Sequence, residues 1–324
     1  MGLYTPATVA IRAAIRPHLE LIPAGEVVLI GCSGGADSMA LAVGTKLEST
    51  SHRIIPVVVD HGLQQNSAKV AEETCTLLRS RGFEEIFQAR ASVMVTDGLE
   101  ASARRARYQI FHQALETYGA ENFFLAHTQN DQAETVLLGL ARGSGTRSLS
   151  AMAERNLPFI RPLLGLTRET TEKFCDEQSI KYWQDPHNDD LTFTRVRIRK
   201  NVLPIMEKEL GPGITSALAR SARIFREDAD ALDLWAEKVF TQSSDPKNFE
   251  IETLEKLPIA VRSRVLRMAI YAAGAPSGSI SADHLLPIEA LVTEWKGQGE
   301  VSLPGGVKVS RISGRLSLSR HRAP

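Results

Sequence analysis

The strongest constraint on the fold is an alternation, through the first 141 residues, between short apolar runs and longer helix-type patterns. Glu26–Gly31 reads as a strand and Asp37–Leu47 as the helix after it. Arg53–Val59 is a second strand, followed by a helix over Ser67–Arg81, a weaker strand at Glu85–Ala89 and a helix over Leu99–Tyr118. Asn122–Ala126 and Asp131–Ala141 complete the series as strand and helix. Strands this apolar are covered on both faces, and strands joined through helices run parallel. Right-handed crossovers bring the strands' carboxyl ends to one edge, where open α/β sheets bind their ligands. The expected class is therefore α/β, with a doubly wound, mostly parallel sheet.

After Gly143-Ser144-Gly145 the pattern changes. Arg161-Pro162-Leu163-Leu164 reads as a short extended piece, and Thr167–Gln178 as a helix with Thr167 at its start. From about Arg195 to Ala273 the chain is mainly helical, with breaks at Pro204 and Gly211-Pro212-Gly213. The tail from Val301 alternates apolar and polar residues around glycines, a β-hairpin pattern. A chain of 324 residues is long for one core. Two domains are expected, residues 1–190 and a smaller, mainly helical 191–324.

Several classes drop out. No run reaches the apolar length of a membrane span, and residues 1–20 lack a signal-peptide core. Two arginines and no acid before Glu20 would suit a transit peptide, but a core strand starting near Glu26 favours an amphipathic first helix. Cys32, Cys75 and Cys175 are far apart and have no metal-type spacing, which fits a reducing cytoplasm. Net charge is zero, with 13 basic and 15 acidic residues in 1–150 and 25 and 23 in the rest, so a nucleic-acid surface must be a local patch. Residues 192–226 supply a candidate, with eight Lys or Arg, including Arg195, Arg197 and Arg199, against Glu207 and Glu209. A solvated helical face explains the same charges equally well.

The chemistry sits between the first strand and the first helix, in Gly31-Cys32-Ser33-Gly34-Gly35-Ala36-Asp37-Ser38. Adjacent glycines let the backbone turn tightly with its N–H groups facing an anion, and the helix points its positive end at the same spot. Ser33 and Ser38 add hydroxyl donors. The product is a cradle for phosphate or pyrophosphate. No lysine follows, so the loop is neither a Walker A motif nor GxGxxG. A glycine pair after a strand is often only a tight turn, but the flanking serines and acid weaken that alternative.

The form SGGxDS resembles the PP-loop, or N-type, ATP pyrophosphatases, which cleave ATP between the α- and β-phosphates and adenylate a substrate oxygen. Further segments are similar to one branch of that superfamily, the lysidine synthases. They are Val57–Leu63 (VVVDHGL), Ala103–Tyr108 with Phe111, Ala126–Thr135 (AHTQNDQAET), Arg142–Gly145 and Ile160–Leu164. Asp185–Asp190, Phe193, Arg195, Arg197–Arg199 and Leu203-Pro204 continue the match. The resemblance is an ordered set running from about residue 26 to 204 and is weak beyond. Departures are Gln64, Thr128, His187 and Val196, none of which removes a charged group assigned to chemistry. The chain stops after the hairpin-like tail, so the extra carboxyl-terminal domain of longer relatives is expected to be missing.

The resemblance implies ATP, Mg²⁺, L-lysine and an isoleucine tRNA with a CAU anticodon as reactants, with ATP held by Ser33–Ser38 and bordered by Val59 and His61. Asp37 is the candidate Mg²⁺ ligand, with helix capping as its plain alternative. Asp131 and Glu134, three apart at a helix start, can bind the lysine's ammonium groups and accept its proton. Complementing the helix dipole is the plain alternative for that pair. Arg107 is expected to face the site and stabilise phosphate charge, His127 to contact a phosphate or the base (a structural role being its plain alternative), and Arg195, Arg197 and Arg199 to contact tRNA. A homodimer is the default assembly. Rival functions are a PP-loop tRNA thiolase, a small-molecule ligase of the same superfamily, and a non-catalytic nucleotide-binding regulator. The cysteine spacing disfavours the first, the arginine-rich second half the second, and Asp37, Asp131 and Glu134 the third.

Overall fold

The computed structural model describes residues 5–60, 62, 66–92 and 99–320. The chain divides into two compact units, residues 1–226 and 227–324.

In the first unit, α1 (Pro6–Leu19) precedes β1 (Val27–Gly31), α2 (Ala36–Glu48), β2 (Arg53–Asp60), α3 (Ser67–Ser80) and β3 (Phe87–Arg90). There follow α4 (Leu99–Tyr118), β4 (Asn122–Phe124), α5 (Gln129–Ala141), a turn of helix α6 (Thr146–Leu149), β5 (Arg155–Asn156), β6 (Phe159–Ile160) and α7 (Arg168–Glu177). The strand order is β3-β2-β1-β4-β6-β5, parallel except for the antiparallel β5–β6 pair at one edge. The direction of winding reverses between β1 and β4. That switch point opens a crevice at the carboxyl ends of those two strands.

Side-chain alternation shows why both faces are covered. Val28 and Ile30 of β1 enter the core shared with α1, α2 and α7, while Leu29 between them enters the core under α4. Phe124 and Phe123 of β4 divide in the same way. α2 is buried along its length from Ser38 to Thr45 because α1 covers it. Ile11 and Ile15 of α1 are fully enclosed, each worth about 1.5–3 kcal/mol of apolar burial. The amphipathic first helix is therefore part of the core.

Two expectations need correction. Arg161–Leu164 is not extended: the strand ends at Ile160, and Leu164 and Leu166 donate back to Arg161 and Leu163, folding the segment into turns. The units divide at 226/227, not at 190/191. α8 (Thr194–Arg197), α9 (Leu203–Glu209) and the start of α10 (Ile214–Gln242) belong to the first unit, where Ile198 and Leu203 pack with Ala133 of α5.

The second unit holds the end of α10, β7 (Asn248–Glu250), α11 (Ile251–Glu255), α12 (Ile259–Ala272), α13 (Ala282–Thr293), β8 (Val301–Leu303), β9 (Val307–Ile312) and β10 (Arg315–Arg320). Its sheet runs β7-β10-β9-β8, all antiparallel. β7 interrupts the stretch expected to be mainly helical. Ser313 and Gly314, at φ 49° and 76°, form the two-residue turn between β9 and β10, matching the right-handed twist of the strands. Val307, Val309, Leu316 and Leu318 face the core of this unit.

Candidate active site at the switch point

The crevice is a cleft of about 790 Å³ within the first unit. One wall is the loop between β1 and α2. Gly34 has φ +83°, and a Cβ there would lie 2.4 Å from Thr74 Oγ1, so both backbone angle and space require glycine. Gly34 is pressed against α3, below the cleft wall. Its carbonyl accepts from the Trp183 N–H at 2.9 Å, tying the 182–185 segment over the loop. Ser33, Gly35, Ala36, Asp37 and Ser38 face the cleft, with the positive end of the 13-residue α2 behind them. Ser38 braces the loop: its hydroxyl accepts from the Ser33 N–H at 3.1 Å and donates to the Gly35 carbonyl at 2.9 Å. Ser33 is exposed and available to a ligand. Val59 lines the cleft from the end of β2, whereas His61 lies outside the described residues.

The opposite wall follows β4. Thr128 caps α5 in a reciprocal capping box, its N–H and hydroxyl bound by Asp131 Oδ2 at 2.8 and 3.1 Å. That fixes the Asp131 carboxylate at the rim and leaves Oδ1 to Arg168 Nη2 at 3.4 Å. Arg168 Nε lies 3.2 Å from Asp37 Oδ2, and the Thr171 hydroxyl donates to Asp37 Oδ1. Burial lifts the Asp37 pKa above the usual carboxylate range, opposed by Arg168 and Thr171. Two of the three expected acids, Asp37 and Asp131, therefore meet across the cleft, joined by Arg168, which lies outside the motifs. One signal existed: Arg168 starts α7 directly after its cap, where the helix dipole disfavours a cation unless acids stand in front.

Glu134 is not on the wall. Its side chain is fully enclosed one turn along α5, and Arg199 grips both oxygens, Nε to Oε1 at 2.6 Å and Nη2 to Oε2 at 3.2 Å. Arg199 itself reaches the cleft. Arg197 turns onto its own segment, donating to the Leu191 and Thr192 carbonyls at 2.8 Å. Arg195 is half-buried and adds positive charge near His127. Arg104 and Arg107 border the cleft from α4.

His127, at the end of β4, also lines the cleft. Burial lowers its pKa to about 4, with Arg161, Arg104 and Arg195 assisting against Asp131, so the ring is neutral near pH 7. Its Nδ1 is buried without a hydrogen-bond partner among the described residues. The three thiols are buried, and desolvation pushes Cys32 up to about 11 and Cys175 up to about 12. None is poised as a thiolate.

This arrangement sets an anion cradle carrying Asp37 opposite Asp131, with Arg168 between the two acids and Arg104 and Arg107 bordering the cleft. A family model for a PP-loop domain matches residues 9–206, and one for a TilS substrate binding domain matches residues 249–317. The tRNA(Ile)-lysidine synthase of Thermobifida fusca is 44% identical over 317 residues, spanning 97% of this chain and 98% of that one. The same enzyme of Streptomyces coelicolor is 46% identical over 303 residues, spanning 92% and 86%. Among solved structures, a U34-tRNA thiolase NcsA from Methanococcus maripaludis superposes with a TM-score of 0.57 at 15% identity, covering 68% of this chain and 80% of that one, a likeness of fold alone. No helix among the described residues is long and apolar enough to cross a membrane. Because close identity runs through both units and not only through the shared nucleotide fold, the chain belongs to the tRNA(Ile)-lysidine synthase family.

Proposed function

We propose that the chain joins L-lysine to C2 of the wobble cytidine in an isoleucine tRNA with a CAU anticodon, consuming ATP and releasing AMP and pyrophosphate. The observation that carries this is the meeting of a backbone anion cradle with Asp37 and Asp131 at the switch point. In the first step cytosine O2 attacks the α-phosphorus, and pyrophosphate departs into the Ser33–Ser38 loop. Phosphoryl chemistry needs charge neutralisation more than covalent help, and Arg107 and Arg104 supply it from α4. In the second step the neutral ε-amine of lysine attacks C2, the C2–O bond breaks and AMP leaves. Asp131, with its Oδ2 fixed by Thr128, orients the amine through Oδ1 once pyrophosphate and its counter-ion have left, and takes the proton lost as the C–N bond forms. Glu134 acts one layer back, holding Arg199 at the cleft rather than touching lysine.

Among the described residues no cluster of three His, Cys, Asp or Glu side chains is set to hold a metal on its own. Asp37 and Asp131 still fit Mg²⁺, which binds through one or two carboxylates together with substrate phosphates. The ion would neutralise the triphosphate. Arg195 is the better candidate for tRNA contact, since Arg197 braces its own loop. A cytoplasmic location goes with these substrates, and a homodimer stays the default assembly. The buried, protonated thiols disfavour the sulfur-transfer alternative on this scaffold.

The test is AMP release from α-labelled ATP by the purified protein, omitting lysine, tRNA and Mg²⁺ in turn. Release that requires lysine and the CAU-anticodon tRNA, with labelled lysine entering the RNA, is expected. Release independent of lysine would refute the assignment and leave the nucleotide fold standing.

A further inference from the structure

Each of the two acids at the cleft has one oxygen fixed by a neighbouring threonine. Asp37 Oδ1 accepts from Thr171, and Asp131 Oδ2 from the N–H and hydroxyl of Thr128. The second oxygen of each turns to the same guanidinium, that of Arg168, at 3.2 and 3.4 Å. Arg168 is itself held in place: its backbone N–H donates to Asn130 Oδ1 at 2.9 Å, and its side chain is three-quarters buried. Three elements thus converge to present one fixed positive charge to two carboxylates. The acids stand at the amino ends of α2 and α5, either side of the switch point.

We propose that Arg168 is an internal counter-ion, standing in the nucleotide-free protein where the cation of a metal–nucleotide complex binds. It is a positioning residue that keeps Asp37 and Asp131 aligned and makes divalent-ion binding depend on the nucleotide. A bare divalent ion has to compete with a charge that cannot diffuse away, for oxygens already neutralised. Once a triphosphate lies in the cradle, its oxygens complete the ion's ligand set and offer the guanidinium a second partner. Ion and nucleotide then enter together. The acids are also kept from seizing a stray cation before the nucleotide arrives.

Arg168's role rests on the proposed use of ATP with a divalent ion, but its test needs neither tRNA nor turnover. Free Mn²⁺ is titrated against the full chain without nucleotide and counted by its electron paramagnetic resonance signal. Arg168→Met and Arg168→Gln are expected to bind Mn²⁺ at least about ten-fold more tightly than the wild type, since a unit charge next to the ligands is gone. Arg168→Lys, which keeps the charge, should stay near wild type. Unchanged Mn²⁺ affinity in the neutral variants overturns the proposal, and so does a lysine variant that tightens as much as glutamine. The glutamine variant keeps a neutral N–H donor at the position, so it gives the answer if the methionine variant does not fold. Tightened Mn²⁺ binding with no lysine-dependent turnover would remove the substrate assignment and keep the counter-ion. Normal turnover with unchanged Mn²⁺ binding would do the reverse.

Discussion

Replacing Glu134 with glutamine separates two roles that its position allows. The side chain is fully enclosed, and Arg199, one-quarter exposed, holds both carboxylate oxygens. The amide would keep the shape and lose the charge, leaving a mostly buried guanidinium without its partner. Breaking a buried ion pair by altering one member costs 3–5 kcal/mol, and the access of water to Arg199 argues for the lower end, about 3 kcal/mol. For a unit of this size that lowers the melting temperature by roughly 6–12 °C, at about 2–4 °C per kcal/mol. Calorimetry on Glu134→Gln, Arg199→Met and the double variant closes a thermodynamic cycle. If Glu134 serves to hold Arg199, the double variant should recover about 2 kcal/mol relative to the summed single changes. Additivity within about 0.5 kcal/mol would refute the pairing. A Glu134→Gln protein that melts like wild type but needs far more lysine for half-maximal rate would instead return Glu134 to direct contact with the amino acid.

The geometry makes two further outcomes testable. Gly34→Ala should cost about 1–2 kcal/mol for its left-handed backbone and more for the clash with Thr74, and should abolish ATP binding in calorimetric titration. Gly35→Ala meets nothing closer than 3.7 Å and should melt within about 0.5 kcal/mol of wild type, so equal damage at both glycines would contradict the loop geometry. His127 binds its proton near pH 4 when folded but near 6.5 when unfolded, so the unfolded chain gains protons first as pH falls. Stability is intact above pH 6.5 and drains by up to about 3 kcal/mol towards pH 4. His127→Asn should flatten that limb of the denaturation profile, and an unchanged slope would mean the ring is not neutral by burial.

Much of the first unit can be read along the chain because its signals are local. Strand and helix periods in Val27–Glu48, the glycine pair, and the Thr128–Asp131 cap each depend on residues a few positions apart. The hairpin after Val307 is of the same kind, set by Ser313-Gly314 between alternating residues. Near-full-length relatives then support the ordered set of motifs as one family pattern.

Pairing across the chain is another matter. Arg168 meets Asp37 over a separation of 131 residues, and Arg199 meets Glu134 over 65. Read singly, Arg199 belongs to a basic stripe and Glu134 to a helix start, and nothing in their neighbours tells that one neutralises the other. The unit boundary is hidden for the same reason: residues 194–226 are as helical as the remainder of α10, and only their packing on α5 assigns them to the nucleotide-binding unit. Backbone periodicity and turn chemistry are written within a few residues, so the order of motifs fixes the fold class and the kind of chemistry. Charge pairing and burial are properties of surfaces brought together, so which acid faces the cleft, which is enclosed and what holds each are decided only when the chain has folded.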